Sequence, residues 1–259
     1  QMTNRQAESF HNNGKVDTND STENVTFKLE NVTNPWVASV LKERGLSFTP
    51  LSIELTQGAT VITGANMGGK SISLKTIVLN VLLAMCGFYV YADYAELPYF
   101  ENIQMISEEL QSVQKGLSSF GAEIIQMKET IETVEKEFCF VVLDEFSRGT
   151  NPHEGAALVR AVTKYLNSRH VVALLVTHFD HVAEYGKAHY QVVGLKDMDE
   201  SQVQHEIRAA GTEKGVAVIA SHMNYGLYRV ENEGNCPRDA FRICRLLGLQ
   251  DEVMDLLEE

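Results

Sequence analysis

The chain has 259 residues, 44 % apolar and 22 % charged, enough to bury a full core without staples. Its 22 basic residues face 35 acidic ones, and a formal net charge of −13 argues against a module that grips a phosphate backbone by bulk charge. The longest apolar stretch, 77–90, contains Asn80 and is too short to span a bilayer, and the N-terminus has no signal-peptide pattern, so a cytoplasmic protein with no membrane part is expected.

Residues 1–26 read as a polar tail or linker, too poor in large apolar residues to order themselves. Residues 27–235 read as one α/β domain. Thr60–Thr63 is a short strand, and Ser71–Cys86, apolar almost all round, is a buried helix. Phe120, Ile124, Met127, Ile131 and Val134 mark one face of an amphipathic helix. Phe138–Leu143 and Val171–Val176 are continuous apolar runs, the pattern of strands covered on both faces, with a helix over Ala156–Leu166 between them. Strands alternating with helices predict a mainly parallel sheet. Met198–Glu213 is polar and reads as a surface hairpin or loop. Residues 236–259 read as a helical pair: Pro237 opens the first, Ala240, Ile243, Cys244 and Leu247 share its face, Gly248 ends it, and Asp251–Leu257 forms the second. Cys86, Cys139, Cys236 and Cys244 have no zinc-type spacing, and three lie in apolar runs, which predicts reduced, buried thiols.

Gly64-Ala65-Asn66-Met67-Gly68-Gly69-Lys70-Ser71 fits G-x-x-x-x-G-K-[ST], with a strand before it and a helix after it. Glycines let backbone N–H groups curl inward around phosphate oxygens at a helix N-terminus. In that arrangement Lys70 reaches the β and γ phosphates, and Ser71 offers its hydroxyl to Mg²⁺. A second motif follows about 75 residues later, where the run from Phe138 ends in Asp144-Glu145. Asp144 is placed to hold Mg²⁺ and Glu145 to orient or deprotonate an attacking water. Thr177-His178 ends the next buried strand, where an imidazole can bond a γ-phosphate. His181 invites a metal reading, but two histidines without a third ligand make a weak one.

Thr63–Ser71, then Leu143-Asp144-Glu145 with Ser147-Arg148-Gly149-Thr150, then Thr177-His178, resemble the ATPase domain of the MutS family over roughly residues 29–195. The resemblance implies a P-loop NTPase fold of ABC/MutS type, ATP and Mg²⁺ as ligands, and a homodimer or a heterodimer with a related subunit. The C-terminal helical extension is then a candidate dimerisation element. The segment Gln114 to Glu123 resembles the family's Ser-Thr-Phe-x-x-Glu segment, which reaches across a dimer to the nucleotide held by the other subunit. That gives Ser118 a trans contact, compatible with its position as an N-cap. Phe48 matches the position that stacks on adenine, with an ordinary core Phe as the competing reading, and Tyr225 is a candidate for the second aromatic.

The sequence also departs from the family. Ile72 and Ser119 stand where threonines are usual, Tyr225-Gly226-Leu227 is a shortened echo of a Tyr-Gly-Ile segment, and no Phe-x-Glu wedge occurs. Gln111–Ser118 is closer to the anti-recombination branch of the family. The tail from Pro237 resembles MutS-like ATPases that reactivate cobalamin-dependent lysine aminomutases. A motor acting on DNA through domains outside this chain and a motor acting on a protein client are therefore both expected readings. An ABC transporter subunit is set aside, because Gly116-Leu117-Ser118-Ser119-Phe120 is not a Leu-Ser-Gly-Gly-Gln signature.

Overall fold

Three of the apolar runs form the middle of a six-stranded sheet. In the computed structural model, which describes residues 25–43, 45–64, 69–107, 119–211, 214–231, 239–249 and 253, these are β3 (Gly58–Thr63), β6 (Cys139–Asp144) and β7 (Val171–Val176). With β5 (Asn102–Ser107), β8 (Ala188–Gly194) and β9 (Asn224–Val230) they run in the order β5-β6-β7-β3-β8-β9. All neighbours are parallel except β8 and β9. Beside it lies a three-stranded antiparallel sheet, β2-β1-β4, built from β1 (Phe27–Val32), β2 (Leu51–Leu55) and β4 (Tyr94–Glu96).

Alternate residues of each central strand enter opposite cores, as the two-residue period of a strand requires. Phe140, Val142 and Leu174 join one core with Phe27, Leu29 and Ile53 of the small sheet and with Leu74, Ile77 and Val81 of α2 (Lys70–Met85). Val141, Leu143, Ala173 and Leu175 face the other, with Met127 and Val134 of α3 (Ser119–Val134) and Val159 and Leu166 of α4 (Pro152–Asn167). A short helix α1 (Pro35–Glu43) links the strands of the small sheet. This is the mainly parallel, helix-flanked α/β architecture expected. Among the described residues no helix is long and apolar enough to cross a membrane.

Three local expectations are corrected. The polar stretch after Met198 is a helix, α5 (Glu200–Ala210), rather than a hairpin or loop: Asp199 caps it by accepting from Ser201 N and Gln202 N. Its two buried residues, Val203 and Ile207, lie one turn apart and pack with Ile219 of α6 (Gly215–Ser221) and with Ile243 and Leu246 of α7 (Asp239–Leu246). The buried face of α3 is Glu123, Met127, Thr130 and Val134, so Ile124 is exposed and a carboxylate takes the inward place. Cys86 is exposed; Cys139 is buried, which pushes its thiol up to about 11. Pro237, Cys236, the expected helix over 251–257 and the N-terminal tail to residue 24 lie outside the described residues, except Val253.

Candidate functional site

The parallel registers place Ile62, Asp144 and Val176 side by side at the C-terminal ends of β3, β6 and β7. Glu145 N then donates to Val176 O and Thr177 N to Ile62 O, so the chain leaves all three strands at one point. Ligands of open α/β sheets bind at such strand ends.

Gly64 and Gly69 flank the part of the loop outside the described residues, which contains Asn66, Met67 and Gly68. Gly69 precedes α2 at φ 82°, and a Cβ there would come within 2.1 Å of Tyr225 Cδ1. Only glycine meets both demands. Lys70, 2 % exposed, donates from Nζ to Gly64 O at 2.7 Å and lies 3.4 Å from Glu145 Oε1. Ser71 Oγ is 3.4 Å from Asp144 Oδ1. The site thus joins the start of α2 to the end of β6.

Glu145 is held among three cationic or titratable groups. Arg148 Nη1 lies 3.2 Å and His178 Nδ1 3.7 Å from Glu145 Oε2. Yet Glu145 Oε2 and His178 Nδ1 are buried without a hydrogen-bond partner among the described residues. Buried polar atoms left open in this way suit a site that meets its partners from outside the chain. Burial holds the His178 imidazole below 6.5, Glu145 pulls upward against it, and Lys70 and Arg148 press it down again. The neutral imidazole is therefore the form the fold prefers.

That preference has a measurable sign. The unfolded chain takes up a proton on this residue near pH 6.5, the folded chain only at lower pH. The unfolded state then binds more protons in that window, so its contribution to stability is full above the ordinary value and is lost as pH falls toward the depressed one. Thermal melts of wild type and His178→Asn between about pH 7 and 5.5 are expected to show the larger fall in wild type. Equal falls remove His178 as the group responsible.

Phe48 and Tyr225 meet beside the loop, their rings nearly parallel at 12° with centroids 6.0 Å apart. Ser73 Oγ of α2 donates to Tyr225 O, tying β9 to the same helix. The structure therefore brings together Lys70, Ser71, Asp144, Glu145 and His178, and sets Tyr225 against Gly69 with Phe48 stacked on Tyr225. Ser118 lies outside the described residues. His181 pairs on the surface with Glu184 at 2.7 Å, and among the described residues no group of three or more His, Cys, Asp or Glu could hold a metal ion.

Two contacts were not anticipated from the sequence. Thr63 Oγ1 lies 2.7 Å from Nε2 of the fully buried His189, which fixes the strand end before Gly64. Glu123 Oε2 accepts from Ser147 N at 2.8 Å. The available signal for Glu123 was its place at the end of the segment that resembles Ser-Thr-Phe-x-x-Glu.

The family model of MutS domain V matches residues 60–242. A protein named Endonuclease MutS2 from Fusobacterium nucleatum is 38 % identical over 141 residues, covering 53 % of this chain and 18 % of that protein. Its namesake from Lachnospira eligens is 36 % identical over 126 residues, 48 % of this chain and 16 % of its own length. The one from Bacillus thuringiensis is 29 % identical over 197 residues, 75 % of this chain and 22 % of its own length. The chain thus spans about a fifth of these relatives. With the matched region running from β3 to α7 and enclosing the Lys70–Glu145 site, the chain belongs to the MutS domain V family, a family of ATPase domains.

Proposed function

We propose that this chain binds and hydrolyses ATP as the motor of a larger MutS-family protein, coupling closure of a nucleotide-bridged dimer to an attached domain. The observation that carries this is Lys70, a buried ammonium held between Gly64 O and Glu145 where three strands end. An ammonium there is ready to exchange these partners for phosphate oxygens. Gly64 and Gly69, both at positive φ, suit a backbone that offers its N–H groups to the β and γ phosphates. Phe48 and Tyr225 offer apolar ring faces to the base. Ser71 and Asp144, both oxygen donors and already 3.4 Å apart, fit a magnesium ion. When bound, that ion supplies positive charge to the phosphate oxygens. Glu145 orients the attacking water and draws its proton, Arg148 keeps the carboxylate in place, and neutral His178 bonds the γ-phosphate. Ser118 of a partner subunit completes the site.

The attached client is read as DNA, in mismatch repair or a related transaction. Relatives that carry this domain are named endonucleases, and a charge of −13 leaves the grip on DNA to domains outside the chain. A protein client, as for the aminomutase reactivases, is the second reading, favoured by the same acidic balance and by the tail from Pro237.

Nucleotide-linked stability tests the core of this reading. Mg–ATP at about 100 times its Kd is expected to add ~2.7 kcal/mol. For a domain of this size that is roughly 5–10 °C in Tm. No shift at millimolar Mg–ATP or Mg–ADP would remove the phosphate loop from the reading.

A further inference from the structure

Glu123 is an acid where α3 faces the sheet. It is 3 % exposed. A carboxylate pays heavily for burial unless strong donors meet it. One such donor comes from the turn after β6, where Ser147 N donates to Glu123 Oε2 at 2.8 Å. That turn is strained: Glu145 stands at φ 51° and Ser147 at φ 69°. Two non-glycine residues in the left-handed region are costly and persist only where the surroundings hold them.

The holds on this turn can be named. Phe146 is buried in the core shared by α3 and α4. A Cβ on Gly155 of α4 would come within 2.9 Å of Ser147 O, so α4 packs directly on that carbonyl. Ser147 Oγ is buried without a hydrogen-bond partner among the described residues, so its hydroxyl fixes nothing there. The backbone N–H does, through Glu123.

We propose that Glu123 is a positioning residue for hydrolysis: from α3 it fixes the backbone of turn 145–148 and thereby keeps the Glu145 carboxylate beside Lys70. The proposal rests on the reading of Glu145 as the group that orients water. Without the Glu123 acceptor the turn relaxes out of the left-handed region and Glu145 leaves its place. Lys70 then loses the Glu145 carboxylate but keeps Gly64 O, and Ser71 keeps Asp144.

The test compares Glu123→Ala, Glu123→Gln and Glu145→Gln in the 259-residue chain. The readouts are kcat, KM for ATP, ATP binding, and amide exchange across 145–148. Glu123→Ala is expected to lower kcat about 10- to 100-fold, the scale of a catalytic group displaced by an ångström. Its KM and ATP affinity stay within about threefold, and exchange at Ser147 accelerates. Glu123→Gln, whose amide oxygen still accepts from Ser147 N–H, recovers most of kcat and of the protection. A wild-type kcat in folded Glu123→Ala overturns the proposal, as does a loss of ATP affinity in parallel with kcat. If Glu123→Ala does not fold, Glu123→Gln decides: retained kcat with retained protection supports it, and lost kcat with retained protection overturns it. Glu145→Gln separates the two levels. If it loses turnover while Glu123→Ala does not, only the role of Glu123 falls; if it turns over like wild type, the reading of Glu145 falls and takes the proposal with it.

Discussion

Glu145→Gln is expected to bind ATP at least as well as wild type and to lose about 10²- to 10⁴-fold in turnover, the range of a positioned general base. The carboxylate lies 3.4 Å from Lys70 and 3.2 Å from Arg148, so it is held in place by charge as well as by the turn. An amide keeps the shape and loses the base. It also removes a negative charge from beside the position proposed for the γ-phosphate, so affinity has no reason to fall. Lower kcat without weaker binding marks a group that acts in the transition state alone. Normal turnover in this variant would take Glu145 out of the mechanism.

Lys70→Ala is expected to show the opposite signature. A charge-assisted hydrogen bond is worth ~1.5–3 kcal/mol, so ATP affinity falls roughly 10- to 100-fold or more. The same change has a cost without nucleotide. Lys70 is 2 % exposed and Glu145 13 %, so removing the ammonium leaves a mostly buried carboxylate with Arg148 and His178 close by. Breaking a buried pair by deleting one partner costs about 3–5 kcal/mol, and Arg148 reduces that here. The double variant Lys70→Ala/Glu145→Gln is then more stable than the sum of the single changes predicts. The expected coupling in urea melts is ~0.5–3 kcal/mol. Additive single effects would mean the two charges do not support each other in the folded chain.

The site was legible to the extent that its chemistry sits in contiguous residues. Gly64 to Ser71, Asp144-Glu145 and Thr177-His178 each carry their context with them, a buried strand before and a turn or helix after. What no stretch of sequence contains is the distance between them. Lys70 meets Glu145 only because β7 pairs with both β3 and β6, which brings the ends of all three strands level. The pairing of Phe48 with Tyr225 likewise joins residues far apart in the chain, through β9 lying against α2.

Two misreadings have physical causes. The stripe Phe120, Ile124, Met127, Ile131, Val134 and the buried stripe Glu123, Met127, Thr130, Val134 share two members and differ by a small rotation of α3. Apolar residues are free to sit on a surface, so Ile124 did not have to be inside. Glu123 is inside because an N–H from 24 residues away meets it. The helix α5 was missed because two large apolar residues in eleven make too thin a stripe to detect. Its partners, Ile219, Ile243 and Leu246, come from two later helices.

The sequence by itself determined the alternation of strands and helices, the two-faced burial of β6 and β7, and the phosphate-loop chemistry. These follow from short-range rules: side-chain period, glycine freedom and the dipole at a helix start. Only the tertiary structure decided the order of the strands, the second sheet, the rotation of α3 and the company that Glu145 keeps. Each of these depends on which distant groups arrive to satisfy a buried charge or cover an apolar face, and that is a property of the folded chain as a whole.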